Sequence, residues 1–181
     1  LLTKKEIRIQ ILADLELPEK GVIWDIGAGS GTIGLEALRL RPKLTLYSID
    51  KRFGTKDIIS ENARIINVKP EQIHEKDITE LLDKNVNNSL KFPNRIVIGG
   101  CNKKTKIYTI KKLSKFMVKG DIFVLPLINV EILQEIKSIF LELDFQINIT
   151  LVQIQKGLSI AEGTRFEPNN PVLIIKAKKI N

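Results

Sequence analysis

The sequence has little cysteine, few aromatic residues and no long apolar run, and each shortage excludes a class of protein. Cys101 is the only cysteine among 181 residues, so the chain forms no internal disulfide, which fits a reducing compartment. No stretch approaches the ~18 consecutive apolar residues of a membrane span. Aromatic residues make up 6% of the chain and leave no evident stacking platform for single-stranded nucleic acid. We therefore expect a cytoplasmic protein with no membrane partner.

Composition and length predict one globular domain. Hydrophobic residues make up 43% of the chain and charged residues 28%, a balance typical of folded domains. At about 150 residues per domain, the length corresponds to a single domain over residues 1–181. The first residue is Leu1 instead of Met, so we expect this domain to be excised from a longer chain. The net charge of +8 favours anionic partners.

Strand-like and helix-like segments alternate along most of the chain. Helical spacing of apolar residues predicts helices over 4–15, 31–40, 55–67, 104–118 and 130–142. Apolar runs between them predict strands over 22–26, 44–49, 72–75, 95–98 and 121–127. Thr3 and Glu6 fit a capping box at the start of the first helix. Residues 83–94 are polar and predict a surface loop.

This alternation predicts an α/β fold in which helices cover both faces of a parallel sheet. Two β-rich runs, 145–155 and 172–177, close the chain around a loop that holds Gly157 and Gly163. No helix fits between these two runs, so they must pair antiparallel. We expect a doubly wound, Rossmann-like sheet of seven strands, mostly parallel with one antiparallel C-terminal strand.

Glycines follow the first predicted strand, in the segment from Asp25 to Gly31. Residues 29–34 fit G-x-G-x-x-G, and Asp50 follows where a ribose-binding acid would lie, so a dehydrogenase is one interpretation. The longer pattern is D-x-G-x-G-x-G, with Asp25 at the strand end, and a carboxylate there is a poor neighbour for a pyrophosphate. An acid suits a cofactor that carries an ammonium group, such as S-adenosylmethionine.

The D-x-G-x-G-x-G segment resembles the nucleotide-binding motif of class I S-adenosylmethionine-dependent methyltransferases. The resemblance implies that Asp50 accepts from both ribose hydroxyls and that Asp77 accepts from the adenine amino group. A carboxylate is an acceptor-only group, which suits both roles. The cofactor-binding residues that the resemblance implies are Thr3, Asp25, Gly27, Ala28, Gly29, Ser30, Gly31, Asp50, Lys51, Asp77, Gly99 and Gly100.

Four further segments are more specific for one family of methyltransferases than the glycine motif is. They are 2–8, Gly99-Gly100, Gly120-Asp121 and 170–172. Together they resemble the decarboxylating, carbon-15 methylating precorrin methyltransferases of cobalamin biosynthesis, the precorrin-6Y C5,15-methyltransferase family. The resemblance implies methylation of a precorrin or cobalt-precorrin at carbon 15 with decarboxylation of an acetate side chain. It also implies a homo-oligomer, and a module that stands alone or follows a carbon-5 methylating domain.

A precorrin is a tetrapyrrole that carries several carboxylates, and cationic side chains bind carboxylates through charge-assisted hydrogen bonds. Several such residues lie in segments expected at the carboxyl ends of the strands, where α/β sheets bind ligands. The candidate substrate-binding residues are Arg8, Lys103, Lys104, Arg165 and Asn170. We assign no metal ligand and no general base.

Two alternatives stay open at this point. The charge of +8 also suits an RNA methyltransferase, and Cys101 lies after strand four, where some such enzymes carry a nucleophile. Those enzymes place Pro or Thr before the cysteine, whereas this chain has Gly100, so we expect no nucleic-acid partner. The other alternative is a non-enzymatic protein that binds the cofactor, because a fold alone does not establish activity.

The role of Asp50 is testable by substitution. We expect Asp50→Ala to weaken S-adenosylmethionine binding by about tenfold or more, because a carboxylate that accepts two ribose hydroxyls is removed. Calorimetric titration measures the change, and an unaltered affinity would contradict the assigned role.

Overall fold

The computed structural model describes residues 3–83 and 90–181. Leu1, Leu2 and residues 84–89, which are half of the segment predicted as a loop over 83–94, lie outside these ranges. The described elements, in chain order, are α1 (Lys5–Asp14), β1 (Gly21–Ile26), α2 (Thr32–Leu40), β2 (Leu44–Asp50), α3 (Thr55–Ile65), β3 (Gln72–Glu75), α4 (Ile78–Asp83), β4 (Arg95–Ile98), α5 (Lys103–Leu113), β5 (Ile122–Leu127), a 3-10 turn (Val130–Ile132), α6 (Leu133–Glu142), β6 (Phe145–Val152), β7 (Gln155–Ile160), β8 (Gly163–Pro168) and β9 (Val172–Lys179).

Seven strands form one sheet in the order β3-β2-β1-β4-β5-β9-β6. Neighbours among β1 to β5 pair in parallel, whereas β9 pairs antiparallel with both β5 and β6. Strands β2 and β3 therefore lie on one side of β1, and β4 and β5 lie on the other. The last strand, β9, lies between β5 and β6 and runs antiparallel to both. The fold predicted from the sequence is confirmed.

Apolar side chains cover both faces of the sheet. One face carries the large aromatic residues, and Phe123, Phe140 and Phe145 pack on one another with ring centroids 5.3–5.7 Å apart. The other face packs against α1, α2 and α3 through residues such as Ile11 and Leu35. Because side chains alternate along a strand, Trp24 faces the aromatic side and Asp25 faces the opposite side, towards α2.

The predicted capping box at α1 is wrong. The residue before the helix is Lys4, with extended backbone and no capping side chain. The Thr3 carbonyl accepts from the Arg8 guanidinium at 2.7 Å, and Glu6 forms an ion pair with Lys156. Glu6 therefore points towards the C-terminal part of the chain and not back to Thr3.

Two further sequence expectations need correction. Helix α5 ends at Leu113 and not at residue 118. The Ser114 N–H still donates to the Ile110 carbonyl at 2.9 Å, but the Phe116 N–H donates to the Leu113 carbonyl, only three residues back, so the chain leaves the α-helical pattern there. The predicted loop around Gly157 and Gly163 is a two-stranded hairpin of β7 and β8. Every residue of both strands is exposed, so this segment lacks the buried alternation that identifies a strand in a sequence.

The hairpin lies at the edge of the sheet where the parallel strands end. Leu127, the last residue of β5, pairs with Leu173 near the start of β9, and Val152, the last residue of β6, pairs with Val172. The chain thus leaves the sheet at its carboxyl edge, forms the hairpin and returns at the same edge. Across residues 3–83 and 90–181, no helix is both long and apolar enough to cross a membrane.

Glu16 joins the opposite, amino-terminal edge of the sheet to the last strand. Its carboxylate pairs with Lys176 and with Lys178, the latter at 2.7 Å. These two hydrogen bonds lower the pKa of Glu16 to about 2. The carboxylate is therefore charged in the folded protein at pH values where it would be protonated in the unfolded chain.

We expect Glu16→Gln to lower the free energy of unfolding at neutral pH by less than about 1 kcal/mol, since the partners are partly exposed. A carboxyl group with a lowered pKa stabilises the fold above its unfolded pKa and loses that effect as the pH falls. The difference between variant and wild type should therefore shrink between about pH 5 and pH 2 in urea denaturation. Glu19→Gln removes the exposed Lys43–Glu19 pair and serves as the control. A difference that stays constant down to pH 2 would contradict the assignment.

Candidate functional site

The turn after β1 is hydrogen-bonded to the ends of both neighbouring strands. The backbone N–H groups of Gly27 and Ala28 donate to the Ile49 carbonyl of β2 at 2.8 and 3.2 Å. On the other side, the Gly99 N–H after β4 donates to the Ile26 carbonyl at 2.7 Å. The glycine loop after β1 therefore has a fixed position between β2 and β4.

Glycine is required where the two glycine-containing turns meet. Gly27 has a φ of +72°, and a Cβ at this position would lie 2.7 Å from the backbone nitrogen of Gly100. Gly29 and Gly31 also have positive φ, which side chains rarely adopt. The resemblance implied that both glycine segments take part in one site, and the structure brings Gly27 and Gly100 into contact. The result is a surface of bare backbone at the carboxyl edge of the sheet.

The Asp50 carboxylate lies at the end of β2 and accepts four hydrogen bonds. Oδ2 accepts from the Gly29 N–H at 2.8 Å and from Nη2 of Arg52 at 2.8 Å. Oδ1 accepts from the backbone N–H and from Nε of Arg52, both at 3.0 Å. Burial raises the pKa of Asp50, but the hydrogen bonds from Arg52 and Gly29 outweigh it, so the pKa lies below its ordinary value. Asp50 is therefore ionised at neutral pH.

Asp77 lies beside Asp50, at the start of α4. Its Oδ1 accepts from the backbone N–H of Thr79 at 3.0 Å and from the Thr79 hydroxyl at 2.9 Å. Its Oδ2 lies 3.3 Å from the Lys51 ammonium. The bonds from Thr79 and the charge of Lys51 lower the pKa of Asp77. Asp77 thus caps α4 with one oxygen and pairs with Lys51 through the other.

Asp25 lies beneath the glycine loop. The residue is 1% exposed, and its Oδ2 accepts from the Gly34 N–H of α2 at 2.9 Å. Burial raises the pKa of Asp25 to about 6, and the charge of Asp50 acts in the same direction. This carboxyl group therefore holds α2 against β1 and changes its charge close to neutral pH.

A cleft opens between the ends of β1, β2, β3 and β4. Ile26, Ile49 and Ile78 form its apolar part, and polar groups from four turns surround them. Its remaining lining residues are Gly27, Asp50, Lys51, Arg52, Lys76, Asp77, Gly100, Cys101, Asn102 and Thr105.

Five of the residues predicted to bind the cofactor line this cleft: Gly27, Asp50, Lys51, Asp77 and Gly100. Gly29 contacts the cleft through its bond to Asp50, and the Ser30 carbonyl accepts from Asn62 at 2.9 Å. Ala28, Gly31 and Gly99 belong to the turns that form the cleft wall. Thr3 lies before α1, where its carbonyl binds Arg8, and is not among the lining residues.

The structure does not bring the predicted substrate-binding residues into the cleft. Arg8 forms an ion pair with Glu36 at 2.9 Å, and Lys103 forms one with Glu135 of α6. The remaining three, Lys104, Arg165 and Asn170, are exposed. Arg165 belongs to the β7–β8 hairpin, and Asn170 lies in the segment that returns from it to β9.

Three basic residues near the cleft were not selected from the sequence. Arg52 and Lys76 line the cleft but look like ordinary surface charges, because each lies in a short polar segment. Lys106 is only 5% exposed, and its ammonium donates to the carbonyls of Ile98 and Gly99. One signal was present for Lys106: it occupies the position before Ile110 and Leu113 in the apolar stripe of α5.

Cys101 lines the cleft, and its thiol is close enough to Lys106 to interact with its charge. Burial raises the pKa of the Cys101 thiol, although the Lys106 charge acts against this change. Burial also lowers the pKa of Lys106. A thiol with a raised pKa is a poor nucleophile at neutral pH, because the thiolate is the reactive form. This observation weakens the interpretation of Cys101 as the nucleophile of an RNA methyltransferase.

The cleft suits a nucleoside that carries an amino-acid end. Two ionised carboxylates, Asp50 and Asp77, line it together with three isoleucine side chains and the bare backbone of Gly27 and Gly100. In the described ranges, no group of three His, Cys, Asp or Glu side chains is arranged to hold a metal ion.

A family model described as a precorrin methyltransferase domain matches residues 1–179 of this chain. The chain belongs to the precorrin methyltransferase family. The resemblance inferred from the glycine loop and the four shorter segments is thereby confirmed.

Relatives of this precorrin methyltransferase match over nearly its whole length. A probable cobalt-precorrin-6B C(15)-methyltransferase (decarboxylating) from Pyrobaculum aerophilum is 33% identical, over 97% of this chain and 88% of that protein. The corresponding protein of Saccharolobus solfataricus is 31% identical, over 98% and 88%. The crystal structure of precorrin-6y C5,15-methyltransferase from Geobacter metallireducens superposes with a TM-score of 0.88 at 27% identity, covering 99% of this chain and 92% of that one.

We expect Asp25→Asn to alter the pH dependence of stability. A carboxyl group whose pKa is raised in the folded state makes the fold less stable as the pH rises from its unfolded pKa to its folded pKa. The wild type should therefore lose up to about 3 kcal/mol relative to Asp25→Asn between about pH 4 and pH 6, as measured by urea denaturation. Asp57→Asn, at an exposed carboxylate of α3, provides the control. Parallel stability curves for Asp25→Asn and wild type would contradict the raised pKa.

Proposed function

We propose that this precorrin methyltransferase transfers a methyl group from S-adenosylmethionine to carbon 15 of a precorrin or cobalt-precorrin, with decarboxylation of an acetate side chain. The observation that supports this most directly is the cleft of Asp50, Asp77 and bare glycine backbone in a chain that the family model matches almost completely. The relatives from Pyrobaculum aerophilum and Saccharolobus solfataricus are named for this reaction, and the cleft offers groups of the required chemistry.

The nucleoside end of the cofactor would bind along the ends of β2 and β3. The Asp50 carboxylate would accept from the ribose hydroxyls and Oδ2 of Asp77 from the adenine amino group, with Ile49 and Ile78 beside the base. The methionine end would lie over the bare backbone at Gly27 and Gly100. The carboxylate of Asp25 lies beneath the glycine loop and would favour the ammonium group through its negative potential. Thr3, Lys51 and the rest of the glycine loop complete the proposed set.

When bound, S-adenosylmethionine supplies an activated methyl group on sulfur. The protein residues bind and orient the two partners, and alignment of this kind can supply much of the rate of a displacement. The conjugated macrocycle offers the electron sink that loss of carbon dioxide requires. We assign no general base, because alignment of an electron-rich carbon with the methyl group and electron withdrawal by the macrocycle account for the proposed steps.

The substrate is a polycarboxylate, and the mouth of the cleft carries matching charges. Lys51, Arg52 and Lys76 line it. Of the substrate-binding residues proposed from the sequence, Lys104, Arg165 and Asn170 are exposed, whereas Arg8 and Lys103 would have to exchange Glu36 and Glu135 for a substrate carboxylate.

The proposal includes a homo-oligomer. The β7–β8 hairpin is exposed on both strands, including Ile160 at 53% and Phe166 at 67%, and an isolated two-stranded hairpin is marginally stable in water. A second copy of this chain packed on the hairpin would bury these side chains. A single domain over residues 1–181, a fused carbon-5 methylating domain and a cytoplasmic location stay predictions.

Product analysis tests the proposed reaction. We expect incubation with methyl-labelled S-adenosylmethionine and a precorrin-6B extract to give a tetrapyrrole that gains one methyl group and loses one carboxyl group, as measured by mass spectrometry. A parallel incubation with total RNA should remain unlabelled. Label in RNA and none in the tetrapyrrole would overturn the proposal in favour of the RNA methyltransferase alternative.

A further inference from the structure

The bonding of Asp50 leaves no acceptor position for a ribose. A carboxylate offers about four lone-pair positions, and all four accept a hydrogen bond here. Two of the donors are backbone N–H groups, from Gly29 and Arg52. The other two are Nε and Nη2 of the Arg52 guanidinium, which binds the carboxylate in the bidentate geometry typical of arginine.

The two guanidinium donors take up acceptor positions on Asp50 that a pair of ribose hydroxyls would require. Both a guanidinium fork and a pair of neighbouring hydroxyls present two donors to the two oxygens of one carboxylate. The backbone donors belong to turns that are bonded to their strands, so the Arg52 side chain is the group that can leave. Nη2 of Arg52 also lies 3.1 Å from the position of a Cβ on Gly29, so the guanidinium extends over the glycine loop.

Building on the proposed function, we propose that Arg52 serves two binding sites in turn. In the absence of the nucleoside, its guanidinium occupies the ribose position on Asp50. The ribose displaces it, and the released guanidinium then binds a carboxylate of the tetrapyrrole at the mouth of the cleft.

Displacement of Arg52 is feasible because its side chain is 58% exposed, whereas that of Asp50 is only 5% exposed. The guanidinium can therefore move into solvent without breaking any packing in the core. An ion pair with one exposed partner contributes little stability, so its loss costs the nucleoside only a small part of its affinity. Lys51 and Lys76 already lie at the mouth of the cleft, and like charges repel one another. The released Arg52 guanidinium is therefore stabilised there only when an anion binds.

The exchange predicts coupling between the two ligands. Nucleoside binding releases the cation that the anionic substrate needs, so each ligand should bind more tightly in the presence of the other, by the same factor. Removal of the guanidinium should change both affinities in opposite directions. The affinity for the nucleoside should rise, and the affinity for the anion should fall.

The first measurement is calorimetric titration of wild type, Arg52→Met and Arg52→Lys with S-adenosylhomocysteine. We expect Arg52→Met to bind about two- to fivefold more tightly than wild type, with Arg52→Lys in between because it lacks the fork. High salt screens the ion pair, so the advantage of Arg52→Met should shrink as salt is raised. Arg64→Met removes the exposed bidentate pair with Glu61 in α3 and should leave the affinity unchanged.

The second measurement uses uroporphyrin, a polycarboxylate porphyrin, as the anionic probe. Wild type should bind it more tightly when saturated with S-adenosylhomocysteine than without it, as followed by fluorescence. Arg52→Met should bind it equally in both conditions, and Arg52→Lys should retain part of the coupling.

The outcomes separate this inference from the proposed function. Unchanged or weaker S-adenosylhomocysteine binding by Arg52→Met, in a variant with a wild-type melting temperature, overturns the competition. Tighter binding without coupling to uroporphyrin in the wild type overturns the second role of Arg52. Absence of S-adenosylhomocysteine binding by wild type and by all variants overturns the proposed function itself.

Discussion

Three backbone hydrogen bonds at the end of β1 hold the whole site together. The backbone N–H groups of Gly27 and Ala28 donate to the Ile49 carbonyl of β2, and the N–H of Gly99 donates to the Ile26 carbonyl of β1. These bonds bring the turns after β1 and β4 close enough for Gly27 and Gly100 to touch through bare backbone. The position of Asp50 follows from the same arrangement, because its carboxylate is bonded to the loop at Gly29. No side-chain packing could replace these contacts, since any Cβ at Gly27 would separate the two turns.

Negative and positive side chains lie at different depths around the contact between the turns after β1 and β4. The carboxylates lie deeper, with Asp25 beneath the loop and Asp50 in the cleft wall, and the cations Lys51 and Lys76 lie at the mouth. In the proposed function, the carboxylates would bind the hydroxyl and amino groups of the nucleoside, and the cations at the mouth would bind the polyanionic substrate. Arg52 is the group that belongs to both layers, because its backbone and guanidinium bind Asp50 while most of its side chain is in solvent.

The sequence was sufficient for the sheet and for the centre of the cleft. The spacing of apolar residues in strands and helices follows burial directly, and the glycine at position 27 reflects a backbone constraint that no other residue meets. The β7–β8 hairpin could not be predicted, because a strand with no buried face leaves no alternation in the sequence. Arg52 could not be selected either, since its role depends on a carboxylate whose surroundings are set by the loop at Gly29. The capping box at Thr3 does not form, because the residue that precedes the helix is Lys4 and the Thr3 side chain is one position too early to cap it.

The antiparallel pairing of β6 with β9 runs from Phe145 opposite Lys179 to Val152 opposite Val172, so the register of the sheet is complete before the hairpin begins. The β7–β8 hairpin lies within the connection between two strands that are already fully paired. The entropic cost of closing such a connection grows only slowly with its length. Residues can be gained or lost between Ile154 and Asn169 while every rung of the sheet stays in place. The fold therefore contains an insertion point whose length is independent of the strands that precede Asp50 and Asp77 in the sheet.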